Sequence, residues 1–313
     1  MFVELRALEY FVAVAEEESF TRAAVRCHVT QPSISQQIQS LERELGEQLF
    51  ERLPRGIRLS PGGRVLLEHA KRALEAAAEA KSEFSARAGL VTGELNLGTV
   101  SGVERTVVPV VLGELHARFP GVKVTLAEDT SAPLLNLVLQ GRLDAAVIAR
   151  PLDELPAQVG SATLLSDRLM AVFDDERFSF DGPTIPLLAL DGVPVISYAP
   201  SSGLRPILQC AFESGGLALH VDYAVNDTRL QVALARQGVG VAVCAGSDPA
   251  LLDATDLVAR PLEPEVRYDK ILVWRTDQTP RAALRAFLRL WSDAFVDGRG
   301  QSNGAGRSEI PRQ

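Results

Sequence analysis

Histidine and cysteine are scarce in this chain of 313 residues, and their placement removes most metal and nucleophilic chemistry. The four histidines, His28, His69, His116 and His220, stand at no metal-ligand spacing with one another or with a cysteine. The three cysteines, Cys27, Cys210 and Cys244, form neither a knuckle nor a redox couple in sequence. Small apolar filling is their first reading, and a sensor pair of Cys210 with Cys244 is the alternative. No phosphate-cradling glycine loop occurs, because Gly238-Val239-Gly240-Val241 leads into a strand pattern instead of out of one. No apolar run approaches the length of a membrane span. The first residues carry Glu4 and Arg6 within an amphipathic pattern, not the apolar core and cleavage site of a signal peptide, so a cytoplasmic protein is expected. Together these absences argue against an enzyme, a metal or another cofactor.

Positive charge is also in deficit, with 32 Lys and Arg against 40 Asp and Glu and a net charge of −8. The deficit is uneven. Residues 20–66 hold seven arginines against four glutamates, which leaves that stretch at +3. A locally basic module in an acidic chain can meet phosphates while the remainder limits non-specific adhesion. With 46% hydrophobic residues, the chain has material for two or three domains with real cores.

Within that module the spacing predicts two short helices and a tight turn. Ser19 can cap a helix over 20–27, and a link over 27–30 leads to a second helix. Thr30 suits an N-cap and Pro32 a first turn. Ile34, Ile38, Leu41 and Leu45 repeat at helical spacing, which turns Pro32, Ser33, Gln36, Gln39, Ser40 and Arg43 outward. An earlier helix over about 4–17, with Leu5, Leu8, Val12 and Ala15 inward, completes a three-helix core. Leu49, Phe50, Ile57 and Leu59 alternate around 53–56 as a small hairpin with Arg52, Arg55 and Arg58 near its tip. A short polar helix face beside a basic hairpin is suited to a DNA major groove. A small helical core with solvated Gln and Ser is the plainer reading, and the consecutive register of cap, proline, polar face and wing disfavours it.

Three runs carry a resemblance: Ser19-Phe20-Thr21-Arg22-Ala23-Ala24, Thr30-Gln31-Pro32-Ser33-Ile34-Ser35, and residues 41–52 from Leu41-Glu42-Arg43 to Phe50-Glu51-Arg52. With Leu59-Ser60-Pro61-Gly62-Gly63 they resemble the LysR-type transcriptional regulators. The resemblance implies double-stranded DNA as partner, contacted by Gln31, Pro32, Ser33, Ser35 and Gln36 on the second helix and by Arg52 and Arg55 on the wing. Gln36 stands where many members carry Arg, so an operator sequence does not transfer. A long helix follows over 61–88, with Leu66, Ala70, Ala73, Ala77, Ala80 and Phe84 as a seam. Packing against the chain's own domains would explain that seam. The family's antiparallel pairing of linker helices favours self-association, as a dimer or a dimer of dimers.

Beyond a glycine-rich hinge over 89–93, strands and helices alternate. Strands are predicted over 94–99, 122–128 and 144–149, then 169–173, 194–198, 220–225 and 239–244, and finally 270–274. Helices fall over 104–119, 133–140, 204–214, 228–236 and 280–295. The expected fold class is α/β with an N-terminal winged helix-turn-helix, a long linker helix and a two-lobed effector region resembling a periplasmic binding protein. The expected domains are 1–60, 61–88 and 89–297, with lobe I over about 94–162 and 268–297, lobe II over about 163–267, and a disordered tail over 298–313. A small-molecule effector, such as a carboxylate, should meet the loops where strands hand over to helices. Those loops offer Thr99, Val100, Ser101 and Gly102, then Ser201, Ser202 and Gly203, with Thr130 and Ser131 at the next helix start and Asn226 and Asp227 after a strand. Each hydroxyl taken alone is equally well an N-cap. The function expected is an effector-modulated DNA-binding transcription regulator. The alternative is a solute-binding or enzymatic α/β protein whose N-terminal module only dimerises.

Overall fold

The computed structural model describes residues 3–53, 56–87 and 90–296, in two compact units that divide between residues 89 and 90. Arg55 and the tail over 298–313 lie outside the described residues, as does Gly89, the first residue of the expected hinge.

The first unit runs α1 (Leu5–Glu17), α2 (Phe20–Arg26), α3 (Gln31–Leu45), β1 (Phe50–Leu53), β2 (Gly56–Leu59) and α4 (Pro61–Arg87). Ser19 Oγ accepts the Arg22 N–H at 3.3 Å and so caps α2. Thr30 occupies the cap of α3, but its hydroxyl makes no capping bond; Pro32 in the first turn does the local work instead. Phe11, Val14, Ala23, Ala24, Ile34, Ile38, Leu41 and Leu49 form the core. Two expected core residues, Leu5 and Leu45, are exposed. Helix α1 is gripped on one side by α2 and α3 and on another by α4, so Ala7, Tyr10, Phe11 and Val14 carry its burial, while Leu5 and Leu45 sit at helix ends.

The hairpin pairs Phe50 with Leu59 and Glu51 with Arg58, and Arg58 ion-pairs Glu51 at 2.6 Å. Ser60 joins it to α4: its hydroxyl donates to Gln48 O at 2.6 Å and accepts the Gly63 N–H at 2.9 Å, with the side chain buried. A Cβ on Gly63 would lie 2.1 Å from Leu49 O, so only glycine lets α4 begin this close to the hairpin. Leu66, Ala70 and Ala73 pack into this unit's own core, so the first half of the α4 seam serves the head itself. Lys71 reaches Glu16 at 2.7 Å and Arg26 reaches it at 2.9 Å, and the Lys71 bond leads in holding the Glu16 carboxyl below its usual range.

The second unit runs β3 (Gly93–Thr99), α5 (Val107–Arg118), β4 (Val122–Glu128), α6 (Ser131–Leu139), β5 (Ala145–Ala149), β6 (Val159–Phe173), β7 (Ile185–Pro186), β8 (Val195–Ser197), α7 (Leu204–Ser214), β9 (Tyr223–Ala224), α8 (Thr228–Arg236), β10 (Val241–Ala245), α9 (Pro249–Leu252), β11 (Val258–Glu263), β12 (Arg267–Arg275) and α10 (Ala282–Val296). The strand order is β4-β3-β5-β12-β6-β10-β8-β9, with β11 on β6 and β7 on β11. Strands β3, β4 and β5 are parallel, as are β8, β9 and β10. The long strand β6 belongs to both lobes. Its residues 159–168 pair with β12 in lobe I, and residues 169–173 pair with β10 and β11 in lobe II. Only that last third was predicted as strand, because Ser161, Thr163, Ser166, Asp167 and Arg168 hide the rest. The strand expected over 220–225 shrinks to Tyr223–Ala224 at the sheet edge.

Lobe I has apolar cores on both sheet faces, one around Leu95, Leu115, Phe287 and Trp291, the other around Leu134, Ile148 and Ile271. Lobe II centres on Leu169, Phe173, Ile196, Leu208 and Val243. Where β12 meets β6 the register slips: Lys270 faces Leu165 and Ile271 faces Thr163, leaving Leu164 extra. Such a bulge re-aims the side chain beside it.

Candidate functional sites

On the first unit, burial of Ile34, Ile38 and Leu41 leaves the opposite face of α3 open. Gln31, Pro32 and Gln36 are exposed there, and Ser33 and Ser35 are half-buried. Gln31 Nε2 donates to Ser35 Oγ at 2.8 Å, and Arg43 extends the face with its Nε bonded to Gln39 O. These amides and hydroxyls start at a helix N-terminus, where the dipole favours negative charge. Arg52 lies on β1, whose partner β2 holds Arg58 already paired with Glu51.

On the second unit the expected effector residues fall at the carboxyl ends of the strands, and the structure treats them differently. Thr99 Oγ1 donates to Val100 O at 2.8 Å, and Val100 N–H extends the sheet onto Val147 O. Thr130 stands at the α6 cap without a capping bond, its hydroxyl 3.4 Å from Asp129 Oδ1. Ser202 Oγ accepts the Leu204 N–H. Asn226 accepts the Ala199 N–H at 3.0 Å and donates to Ser201 Oγ at 3.3 Å, so it ties the β8 and β9 loops together. Asp227 and Asp248, not hydroxyls, cap α8 and α9.

The lobes touch at two glycines. A Cβ on Gly203 of lobe II would lie 2.6 Å from Ser131 Oγ and 3.1 Å from Ala149 Cβ of lobe I. A Cβ on Gly102 of lobe I, whose φ is +73°, would lie 2.6 Å from Asp248 Oδ2 and 3.0 Å from Lys270 Nζ. Lys270, only 3% exposed, donates to Ser101 O at 3.0 Å and Gly102 O at 2.7 Å. Burial pulls its ammonium below the usual lysine range, and Asp248, Asp167 and Glu104 oppose that pull. Nearby, Tyr268 and the Ser247 N–H both donate to Asp167 Oδ2, and burial pushes the Tyr268 phenol up.

Lys270 and Asp248 were not singled out in the sequence. Lys270 left one trace, a lone cation entering the apolar run Ile271-Leu272-Val273-Trp274. A cavity of about 280 Å³ lies elsewhere, at the other end of β8 among Pro194, Phe212, His220 and Asp222, and includes none of the expected residues. Cys244 is fully buried on β10, where burial pushes its thiol up, whereas Cys210 is exposed on α7. The seam holds hydroxyls, helix N-termini and one buried cation, a set suited to holding a small polar molecule without covalent chemistry.

Comparison with known proteins gives the same division. Residues 5–64 match the bacterial regulatory helix-turn-helix protein family of lysR type, and residues 88–295 match the LysR substrate binding domain. The HTH-type transcriptional regulator IlvR of Caulobacter vibrioides is 31% identical over 296 residues, covering 92% of this chain and 97% of that one. The HTH-type transcriptional regulator ShiR of Corynebacterium glutamicum is 30% identical over 243 residues, covering 77% and 82%. Among solved structures, full-length CbnR in complex with its target DNA aligns with a TM-score of 0.63 at 24% identity, over 93% of this chain and all of that one.

Proposed function

This chain belongs to the LysR family of DNA-binding transcription regulators, and from that premise we propose which of its residues read DNA and which hold the effector. Gln31, Pro32, Ser33, Ser35 and Gln36 meet the major groove, while Arg52 and Arg55 meet the flanking backbone. The polar face of α3, held outward by buried Ile34, Ile38 and Leu41, is the observation that carries this assignment. CbnR, the relative in fold solved on its target DNA, supports the same docking. The head comprises residues 1–60, α4 is the linker through which copies associate, and 89–297 sense the effector. The chain works in the cytoplasm and performs no catalysis; its regulator relatives support both points.

The effector is a small anion between the lobes. The residues that hold it are Ser101, Thr130, Ser201, Ser202, Gly203 and Asn226, with Thr99 and Val100 in the first loop; the close approach of Gly203 to Ser131, at the starts of α7 and α6, supports this reading. Buried Lys270 and the N-termini of α6 and α7 supply positive potential there. An effector acts by its different affinity for two lobe arrangements, which shifts the spacing of the heads on the operator.

The test is selection of sites from a random duplex library by the full-length protein. A dyad-symmetric site with two half-sites is expected. Recovery of no motif would favour a solute-binding protein whose N-terminal module only dimerises.

A further inference from the structure

The loop after β3 turns its carbonyls to one side and its amides to the other. Lys270 Nζ donates to Ser101 O at 3.0 Å and to Gly102 O at 2.7 Å, which uses two of the three ammonium hydrogens. In a trans peptide the N–H points opposite to the C=O, so the N–H groups of Gly102 and Val103 face away from Lys270. Among the described residues neither of them donates to an acceptor, nor does the N–H of Ser101. Gly102 is buried, and a buried backbone donor left without a partner is rare in a folded protein. Gly102 also takes a left-handed φ of +73°, and successive amides in such a turn make a concavity for an anion.

Lys270 reaches this loop from the middle of the seam. It pairs across the sheet with Ala149, whose N–H is held by Ser131 Oγ at 3.1 Å and whose Cβ lies against Gly203. The residues after it, Ile271-Leu272-Val273-Trp274, are buried and apolar, so packing alone does not call for a lysine at this place. Asp248, Asp167 and Glu104 supply the buried ammonium with countercharge.

We propose that Lys270 is a positioning residue for effector binding: by holding the carbonyls of Ser101 and Gly102, it keeps the amides of Gly102 and Val103 presented to the effector's anionic group. The proposal rests on the reading of an anionic effector at this loop, and within it Lys270 acts through the backbone. An apolar side chain of similar length fills the same space but leaves both carbonyls free to turn.

The experiment uses full-length wild type, Lys270→Met and Lys270→Ala. The probes are acetate, benzoate and succinate, each beside its neutral amide, titrated by calorimetry. At least one carboxylate should bind the wild type, with its amide weaker on the order of tenfold or more. Lys270→Met should lose that preference while the second unit still melts cooperatively. In Lys270→Ala, added propylammonium should restore carboxylate binding and propanol should not, because a packing role is met by either filler and an ammonium role by one. Equal carboxylate affinity of wild type and Lys270→Met would overturn the proposal. So would rescue of Lys270→Ala by both additives alike, or by neither. Wild type that binds none of the three carboxylates would sink the anionic-effector reading itself, a separate result that takes the proposal with it.

Discussion

At the scale of single residues, one backbone angle governs the turn between α2 and α3. His28 sits at φ +54°, in the left-handed region that histidine tolerates and a β-branched residue does not. His28→Val should destabilise the first unit by about 1–2 kcal/mol, and His28→Gly should be tolerated. Urea unfolding of the two variants checks this; equal stability of His28→Val and wild type would mean that the turn relaxes. Residues whose role is set by near neighbours were legible from sequence: Ser19 as a cap, and Ile34, Ile38 and Leu41 as a buried stripe. Lys270 and Asp248 were not, because they stand in different lobes and meet only at Gly102. Thr30 shows the opposite error, a good capping residue whose bond is simply not made.

At the scale of elements, the lobe seam depends on the absence of side chains where α7 meets α6 and β5. Gly203→Ala forces a Cβ against Ser131 and Ala149 and should cost the second unit about 1–3 kcal/mol. Ser131→Gly in the same chain removes the nearest obstruction, so the double variant should recover part of that loss in thermal unfolding. Additive losses would show that Gly203 matters for a different reason. Lys270 makes the same seam sensitive to pH. Its folded pKa lies below the ordinary 10.5, so the unfolded chain binds more protons in the window beneath that value. Stability contributed by this group therefore increases as pH rises through the window and is lost as pH falls through the folded pKa. Unfolding midpoints of wild type and Lys270→Met should diverge with rising pH up to about 10, with the rise confined to the wild type. Parallel profiles would remove Lys270 from that role. Strand β6 was legible only in its apolar third, because its polar residues serve the crossover between lobes instead of a core.

At the scale of the whole molecule, charge and length divide the work. The chain as a whole carries −8, yet the stretch that contains the DNA-reading helix and wing carries a positive excess, so affinity must come from specific contacts made by more than one head. Helix α4, at 27 residues, spans about 40 Å and spends its first half on its own head. Its second half is where copies should meet. Ala80 is exposed there, and Ala80→Glu should shift the full-length protein toward monomer in sedimentation while leaving the melting of the head unchanged. Operator affinity should drop at least tenfold with it, since one half-site alone supports little specificity. An unchanged oligomer would place the contact elsewhere. Ser60 gives this arrangement its mechanical character. One buried hydroxyl welds the end of the hairpin to the first turn of the long helix, and Gly63 closes the remaining gap. The helix is thus a crank handle with no play at its root: a twist delivered along it should turn the hairpin with it instead of dissipating in a loose joint.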